Sequence, residues 1–248
     1  MLRKQRMLAF VVVSAVCVSL ANAQINYGNF NADTVEYQQV TESSVTDPLP
    51  LFGAPSVFGD SLLFSPVNFG ITTGGGSFDY MDGQLTTTIV ALGLNRIEKI
   101  EFSERGDWTL LGTGTGNTTA SVANTMFVRI TQVDGAGPFT PVDATVQMTF
   151  TPDGGSYNLI DHRGQNLPFE GTTLVDVDAM LAAAGYPGRQ ALKVDVTLDN
   201  SLAAFSETSS IAYIKKKQAE GLSITAIVPE PATLGLLAFG GLWLCRRR

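Results

Sequence analysis

Apolar and polar residues alternate with a period of two in two segments of the chain. In residues 142–150 the apolar positions are Val142, Ala144, Val146, Met148 and Phe150. In residues 192–199 they are Leu192, Val194, Val196 and Leu198. Successive side chains of a β-strand point to opposite faces, so this alternation predicts two strands, each with one buried face and one face in water.

Weaker alternation in 126–133 and 222–228, and Thr, Ile and Phe enrichment in 85–92 and 96–103, predict further strands. The turn sequence 152–155 is expected to close a hairpin into 156–160, and 72–76, 112–119 and 134–138 are expected to be loops. One-sided alternation is typical of antiparallel sheets rather than parallel α/β sheets. We therefore expect an all-β fold, an antiparallel β-sandwich of jelly-roll-like or immunoglobulin-like type, with a closed barrel as the alternative.

One short helix is predicted over 177–184. Asp176 or Thr173 would cap its start, and Gly185 with Pro187 would end it. It would plug one end of the sandwich or cover a sheet edge. Residues 24–60 have weaker periodicity and predict an edge strand with loops, and Lys215–Lys217 are expected to protect an exposed strand end or edge.

The N-terminal 23 residues have the three-part pattern of a secretory signal peptide. Arg3, Lys4 and Arg6 precede an apolar run over 7–20, and Ala21 and Ala23 occupy the −3 and −1 positions before Gln24. The pattern predicts export with cleavage after Ala23. An uncleaved N-terminal anchor is the alternative.

A second apolar run, 232–245, lies near the C-terminus and is followed by Arg246, Arg247 and Arg248. As a helix it would reach ~21 Å, against the ~30 Å of a bilayer core, so it predicts a marginal membrane span. The arginines would stop it on the cytoplasmic side. Pro229 and Pro231 favour an extended segment just outside the membrane, a shape suited to a membrane-embedded protease. A buried C-terminal helix is the alternative.

The segment Val-Pro-Glu-Pro-Ala-Thr-Leu-Gly (228–235), followed by the apolar run and the arginines, resembles the PEP-CTERM sorting signal. The resemblance covers only about the last 20 residues, and it divides the chain into a signal peptide (1–23), an exported domain (24–228) and a sorting tail (229–248). It implies export by a bacterium that makes extracellular polysaccharide. It also implies recognition of Pro229, Glu230 and Pro231 by an exosortase, and it says nothing about the activity of the exported domain.

Charge and cysteine usage limit the functions that the exported domain could have. Outside the two terminal basic clusters the chain has ten basic and 23 acidic residues. This balance disfavours nucleic-acid binding and favours solubility and cation binding. Both cysteines, Cys17 and Cys245, lie in the terminal segments, so no disulfide staples the domain. Its roughly 200 residues are enough for one substantial core.

The sequence predicts no catalytic residues. His162 is the only histidine, no Gly-x-Ser-x-Gly motif accompanies it, and one histidine without domain cysteines argues against zinc. Calcium is the metal that the composition allows. Its weak candidate ligands are Asp79, Asp82, Asp176 and Asp178, of which Asp176 is equally a helix cap.

Carbohydrate binding would use aromatic platforms. Trp108 is the weak candidate, with Tyr80, Tyr157, Tyr186 and Tyr213 as further aromatics. A lone strand tryptophan is more often a core residue.

These features favour a non-enzymatic exported protein of the cell surface or the exopolysaccharide matrix of a biofilm. Its expected partners are the secretion machinery, an exosortase and extracellular polysaccharide. A hydrolase or lyase on a jelly-roll scaffold is one alternative, because a fold alone does not decide between enzyme and binder. A permanently anchored single-span surface protein is the other.

Overall fold

The computed structural model describes residues 23–217 and 219–229. Within them it contains one helix, α1 (Val177–Ala183), and the following strands: β1 (Ala23–Asn31), β2 (Val35–Ser44), β3 (Ser56–Phe58), β4 (Ser61–Phe64), β5 (Gly70–Gly74), β6 (Phe78–Ala91), β7 (Lys99–Gly112), β8 (Thr119–Val133), β9 (Val142–Gln147), β10 (Phe150–Thr151), β11 (Ser156–Asn158), β12 (Gly164–Asp176), β13 (Ala191–Phe205), β14 (Ser210–Lys216) and β15 (Leu222–Ile227).

The predicted signal peptide, apart from Ala23, and the membrane-spanning sorting helix lie outside the described residues. Of the helical structure that is described, none is both long and apolar enough to cross a membrane.

The strands form two antiparallel sheets that pack face to face, which confirms the predicted all-β sandwich. Sheet A has the order β1-β2-β6-β13-β8-β11, with β9 on the same edge of β8 as β11. Sheet B has the order β10-β12-β7-β15-β4-β3, and β14 pairs with β7 and with β5. Inward side chains of both sheets form one hydrophobic core, which includes Tyr37, Phe64, Phe102, Met126 and Leu198.

The predicted strands over 126–133 and 192–199 lie within β8 and β13, and those over 85–92, 96–103 and 222–228 overlap β6, β7 and β15, with residues 92, 96–98 and 228 outside the observed strands. In β13, Val194 and Val196 are buried as expected, but Leu192 is only half-buried. A register shift between β13 and β8 over residues 191–194 places Ala191 in the core instead.

The segment 142–150 is not one strand. Its first part is β9 in sheet A, and the chain then crosses to sheet B, where β10 pairs with β12. The predicted hairpin is wrong, because a 3-10 turn over Asp153–Gly155 returns the chain to sheet A, where β11 pairs with β8. Met148 and Phe150 are both buried in the core, and they hold the crossing segment between the sheets.

Two further predictions understate the number of strands. Residues 70–74, within which a loop was expected from 72, form β5, because Ile71 and Thr73 are buried and the strand pairs with β14. The 24–60 region has its expected edge strand, β1, but it also forms β2 and β3. The expected loops after residues 112 and 133 connect β7 to β8 and β8 to β9.

The predicted helix is confirmed as α1. Asp176 caps it by accepting a hydrogen bond from the backbone N–H of Ala179 at 2.8 Å. Val177 and Leu181 are its buried residues, and Gly185 follows it with a φ of +89°. Thr173 lies in β12 instead.

The prediction for Lys215–Lys217 is wrong. β14 is not an edge strand, since β5 and β7 flank it. Its alternation turns Ala212, Ile214 and Lys216 into the core, where Lys216 forms a buried ion pair with Glu104 of β7. Lys217 pairs on the opposite face with Asp107, at 2.9 Å.

Candidate functional site

A groove of about 440 Å³ crosses the outer face of sheet B where β7, β12 and β10 meet. Prolines form much of its apolar lining, and three charged side chains stand around it. Its lining residues are Arg105, Gly106, Thr151, Pro152, Pro168, Phe169, Glu170 and Lys217.

Strand register assembles this groove. Glu170 of β12 is the cross-strand partner of Arg105 in β7 and of Thr151 in β10, so the three form one row. Neighbours in such a row have Cβ atoms about 5 Å apart. Sequence reasoning missed this set, because the row exists only once β7 and β12 pair.

Two carboxylates balance the positive charges around the groove. Arg105 contacts the carboxylate of Glu220 at 3.2 Å, and Lys217 contacts Asp107 at 2.9 Å. Asp107 is only 2% exposed, and its Oδ1 has no hydrogen-bond partner among the described residues. The Lys217–Asp107 pair therefore joins a buried carboxylate to a partly exposed lysine, and the exposed Glu170 side chain is also accessible to a ligand.

Trp108 is a core residue and not a binding platform. It is 3% exposed, and its ring stacks on Tyr157 with centroids 3.7 Å apart and planes 5° apart. Its Nε1–H donates to the backbone carbonyl of His162 at 3.1 Å. Tyr157 is also buried, and burial, followed by the charge of Asp153, raises the pKa of its hydroxyl.

Both ring nitrogens of His162 are occupied. Nδ1 accepts from the backbone N–H of Asn158 at 3.2 Å, and Nε2 lies 2.6 Å from Asp153 Oδ2. Nε2 therefore carries the proton that is shared with Asp153. This arrangement holds the 158–162 loop and leaves neither nitrogen to activate a nucleophile.

The other predicted aromatics lie apart. Tyr80 is exposed on sheet A, and Tyr213 lies on sheet B beside Lys215. The hydroxyl of Tyr186 accepts from the backbone N–H of Thr140 at 3.1 Å, and this hydrogen bond lowers the pKa of Tyr186. No shared aromatic platform follows from these positions.

The predicted calcium ligands do not converge. Asp79 and Asp82 are three residues apart in β6 and therefore belong to opposite faces of the strand. Asp176 caps α1, and burial, with the charge of Glu98 next, raises the pKa of Asp178. In the described part of the chain no group of three or more His, Cys, Asp or Glu residues is arranged to hold a metal ion.

Asp82 instead shares a polar hollow of about 250 Å³ with Asp199 on the outer face of sheet A. Asp82 accepts hydrogen bonds from Ser44 Oγ at 3.1 Å, from the Val45 N–H at 3.1 Å and from Thr46 Oγ1 at 3.0 Å. Burial, and then the charge of Asp82, raise the pKa of Asp199.

The processing residues lie at the two ends of the described structure. Ala23 is the first residue of β1, so cleavage after it would remove only that residue from the strand. β15 ends at Ile227, Val228 packs against the core, and Pro229 is exposed. Ala21, Glu230, Pro231 and Arg246–Arg248 fall outside the described residues.

Residues 228–248 match the PEP-CTERM protein-sorting motif. The motif implies export, processing by an exosortase in the membrane, transient anchoring, and then a surface or extracellular location. No curated protein matches the chain.

Several solved structures show a slight structural similarity to the chain. TmCBM61, solved in complex with β-1,4-galactotriose, is 5% identical over 66% of this chain and 75% of its own, with a TM-score of 0.22. The family 11 xylanase from Neocallimastix patriciarum is 10% identical over 84% and 100%, with a TM-score of 0.21. Endoglucanase 3 of family GH12 from Trichoderma harzianum is 10% identical over 86% and 100%, with a TM-score of 0.21. Such low scores carry no argument about function.

Proposed function

We propose that residues 24–228 form a non-enzymatic exported domain that binds extracellular polysaccharide at the cell surface or in a biofilm matrix. An exosortase would process its tail after the secretion machinery has exported it. The chain alternates between the two sheets at most of its connections, and we infer from this alternation that the sandwich is jelly-roll-like rather than immunoglobulin-like.

The observation that carries the binding proposal is the groove on sheet B. Its prolines offer an apolar surface to the C–H face of a sugar, and Arg105, Glu170 and Lys217 supply donors and an acceptor for sugar hydroxyls. Glu170 is the one carboxylate in the described lining. Glycoside cleavage normally uses a pair of carboxyl groups, so this groove favours binding over cleavage.

The test is a glycan array on the exported protein, with and without calcium. Arg105→Ala and Glu170→Ala should each weaken binding about tenfold, as expected for loss of ~1–2 kcal/mol of polar contact. Arg129→Ala is the matched control, since Arg129 is a similarly exposed arginine paired with a carboxylate, Asp143, on sheet A. Absence of wild-type binding to every glycan, or an equal loss of binding in the Arg129→Ala control, would overturn the proposal.

A second candidate function, polysaccharide cleavage, is favoured by the hollow that Asp82 and Asp199 share. A carboxyl group with a raised pKa beside a hydrogen-bonded carboxylate is the usual division between a general acid and its partner. Release of reducing ends from polysaccharide by the wild-type protein, abolished in Asp199→Asn, would establish this function. Absence of release from every polysaccharide that the domain binds would reject it.

The processing step has its own test. Replacement of Pro229, Glu230 and Pro231 by alanines should leave the protein in the inner membrane, whereas a permanently anchored protein would be indifferent to the change. Mass spectrometry of surface protein should find no tail. Surface protein that retains Arg248 would contradict processing.

A further inference from the structure

Four polar side chains meet in the middle of the hydrophobic core. Glu104 of β7 and Lys216 of β14 come from sheet B, and Asn124 of β8 and Asn200 of β13 come from sheet A. None of the four residues is more than 2% exposed. The two asparagines are direct cross-strand partners, so the cluster bridges the two sheets at one level.

The contacts within the cluster are specific. Lys216 Nζ bonds Glu104 Oε1 and also lies 2.8 Å from Asn200 Oδ1. Asn124 Nδ2 donates to Glu104 Oε2 at 2.9 Å. Among the described residues, Asn200 Nδ2 has no hydrogen-bond partner. The lysine amine is thus hydrogen-bonded to the oxygen of the Asn200 amide, the atom bonded to Cγ, while the NH₂ group of that amide makes no hydrogen bond to the described residues.

The surroundings favour a neutral amine. The rings of Phe69 and Phe52 have their centroids 4.7 Å and 6.0 Å from Lys216 Nζ. Desolvation lowers the pKa of Lys216, against the opposing effect of Glu104. If the proton moves from Nζ to the Glu104 carboxylate, two buried charges are neutralised at once, and a desolvated lysine becomes a nucleophile.

We propose that Lys216 and Asn200 join in a self-catalysed isopeptide bond. Nζ attacks Cγ of Asn200 and forms a tetrahedral intermediate. The C–Nδ2 bond then breaks, and Nδ2 leaves as ammonia after it has received a proton. The product is a secondary amide between Nζ and Cγ, and the reaction consumes no oxidant, reductant or other reactant.

Glu104 is the proton carrier of this reaction. It takes a proton from Nζ and delivers one to the leaving nitrogen, which is general base and general acid catalysis by one carboxyl group. Asn124 is a positioning residue, because its hydrogen bond fixes the second oxygen of Glu104. Exclusion of water by the surrounding core protects the intermediate from hydrolysis.

The bond would tie β13 of sheet A to β14 of sheet B across the core. The exported domain has no cysteine with which to form a disulfide. An amide link supplies a covalent constraint of the same kind, and it is insensitive to reductants.

The decisive measurement is tryptic peptide mapping of the full protein by mass spectrometry. Loss of one ammonia from the intact mass is not sufficient, because cyclisation of an N-terminal Gln24 or of an asparagine also releases ammonia. The proposal predicts a branched peptide in which 194–215 is joined through Asn200 to Lys216, without tryptic cleavage after Lys216. It should account for most of the protein.

Lys216→Arg keeps a long basic side chain but removes the primary amine, and Glu104→Gln keeps the shape but removes the proton carrier. The branched peptide should be absent in the first variant and at least tenfold less abundant in the second, with circular dichroism reporting whether each folds. The wild-type digest decides the matter even if neither variant folds. An unbranched 194–215 peptide in the wild-type digest would refute the bond, and a branch to peptide 106–129 would refute Asn200 as its acceptor in favour of Asn124.

Discussion

Trp108 offers a direct test of whether the aromatic cluster is a structural element or a ligand platform. Its ring is buried against Tyr157, and its indole N–H satisfies the carbonyl of His162. Trp108→Ala would remove the largest side chain of this cluster and leave that carbonyl without its partner. If the cluster is structural, the substitution should act on folding.

Truncation of a buried tryptophan to alanine costs about 3–5 kcal/mol. One kcal/mol shifts the Tm of a domain of this size by about 2–4 °C, so Trp108→Ala should lower the Tm by about 6–20 °C. Trp108→Phe keeps a ring on Tyr157 but loses the hydrogen bond and part of the buried indole volume. It should cost about 1–2 kcal/mol, or about 2–8 °C.

Thermal and urea unfolding followed by far-UV circular dichroism measure these differences without depending on tryptophan fluorescence. Tyr80→Ala is the matched control, because Tyr80 is 43% exposed on sheet A and should change stability by no more than about 0.5 kcal/mol. A Trp108→Ala protein that unfolds at the wild-type temperature but loses glycan binding would refute the structural assignment.

Three further substitutions test other parts of the structure. The buried carboxylate of Glu42 accepts from the N–H groups of Leu51, Phe52 and Gly53 and from the Tyr27 hydroxyl, so Glu42→Gln should cost about 2–3 kcal/mol in urea unfolding, and an unchanged midpoint would contradict this role. A Cβ on Gly106 would lie 2.0 Å from Phe169 Cζ and 2.3 Å from the Lys215 carbonyl oxygen, so Gly106→Ala should cost about 3 kcal/mol or more, whereas Gly116→Ala, with its nearest atom at 4.0 Å, should be tolerated. The pKa of Asp199 is raised from 3.8 in the folded protein, so its ionisation opposes folding above the folded pKa. Asp199→Asn should therefore raise the Tm at pH 7, with the gain vanishing below pH 3.8, where folded and unfolded states are both protonated; a lower Tm at pH 7 would contradict the unfavourable effect of burial, and of the Asp82 charge, on ionised Asp199.

The strands that could be predicted are those whose burial repeats locally. Val194, Val196 and Leu198 alternate with polar residues, and their faces follow from that alternation. Alternation does not indicate which strands are hydrogen-bonded neighbours. Alternation and turn residues together predict a hairpin from β9 to β11 through the 152–155 turn. In the structure the chain forms β10 in sheet B between these two strands. The crossing of the chain to sheet B depends on pairing between β10 and β12. No local sequence pattern near β10 indicates this partner.

The polar sites were harder to predict, because each is assembled across strands. Lys216 lies in a run of three lysines, which is typical of a solvated segment, and only the distant partners Glu104 and Asn200 reveal its burial. The proximity of Asp79 and Asp82 in the sequence suggests a pair of ligands, although strand geometry separates them. Glu170 and Arg105 meet through β-pairing alone. The helix cap Asp176, by contrast, acts within its own turn and was predictable.

The position of β15 determines how the domain bears load. This strand lies between β7 and β4, and the sorting motif starts one residue after its end. Tension applied through the C-terminal side therefore enters at an interior strand of sheet B. Because antiparallel hydrogen bonds run perpendicular to the strands, a pull along β15 loads its bonds to both neighbours together, in shear, rather than opening them one at a time. A surface protein held at this point would resist drag from flowing liquid better than one held by an edge strand.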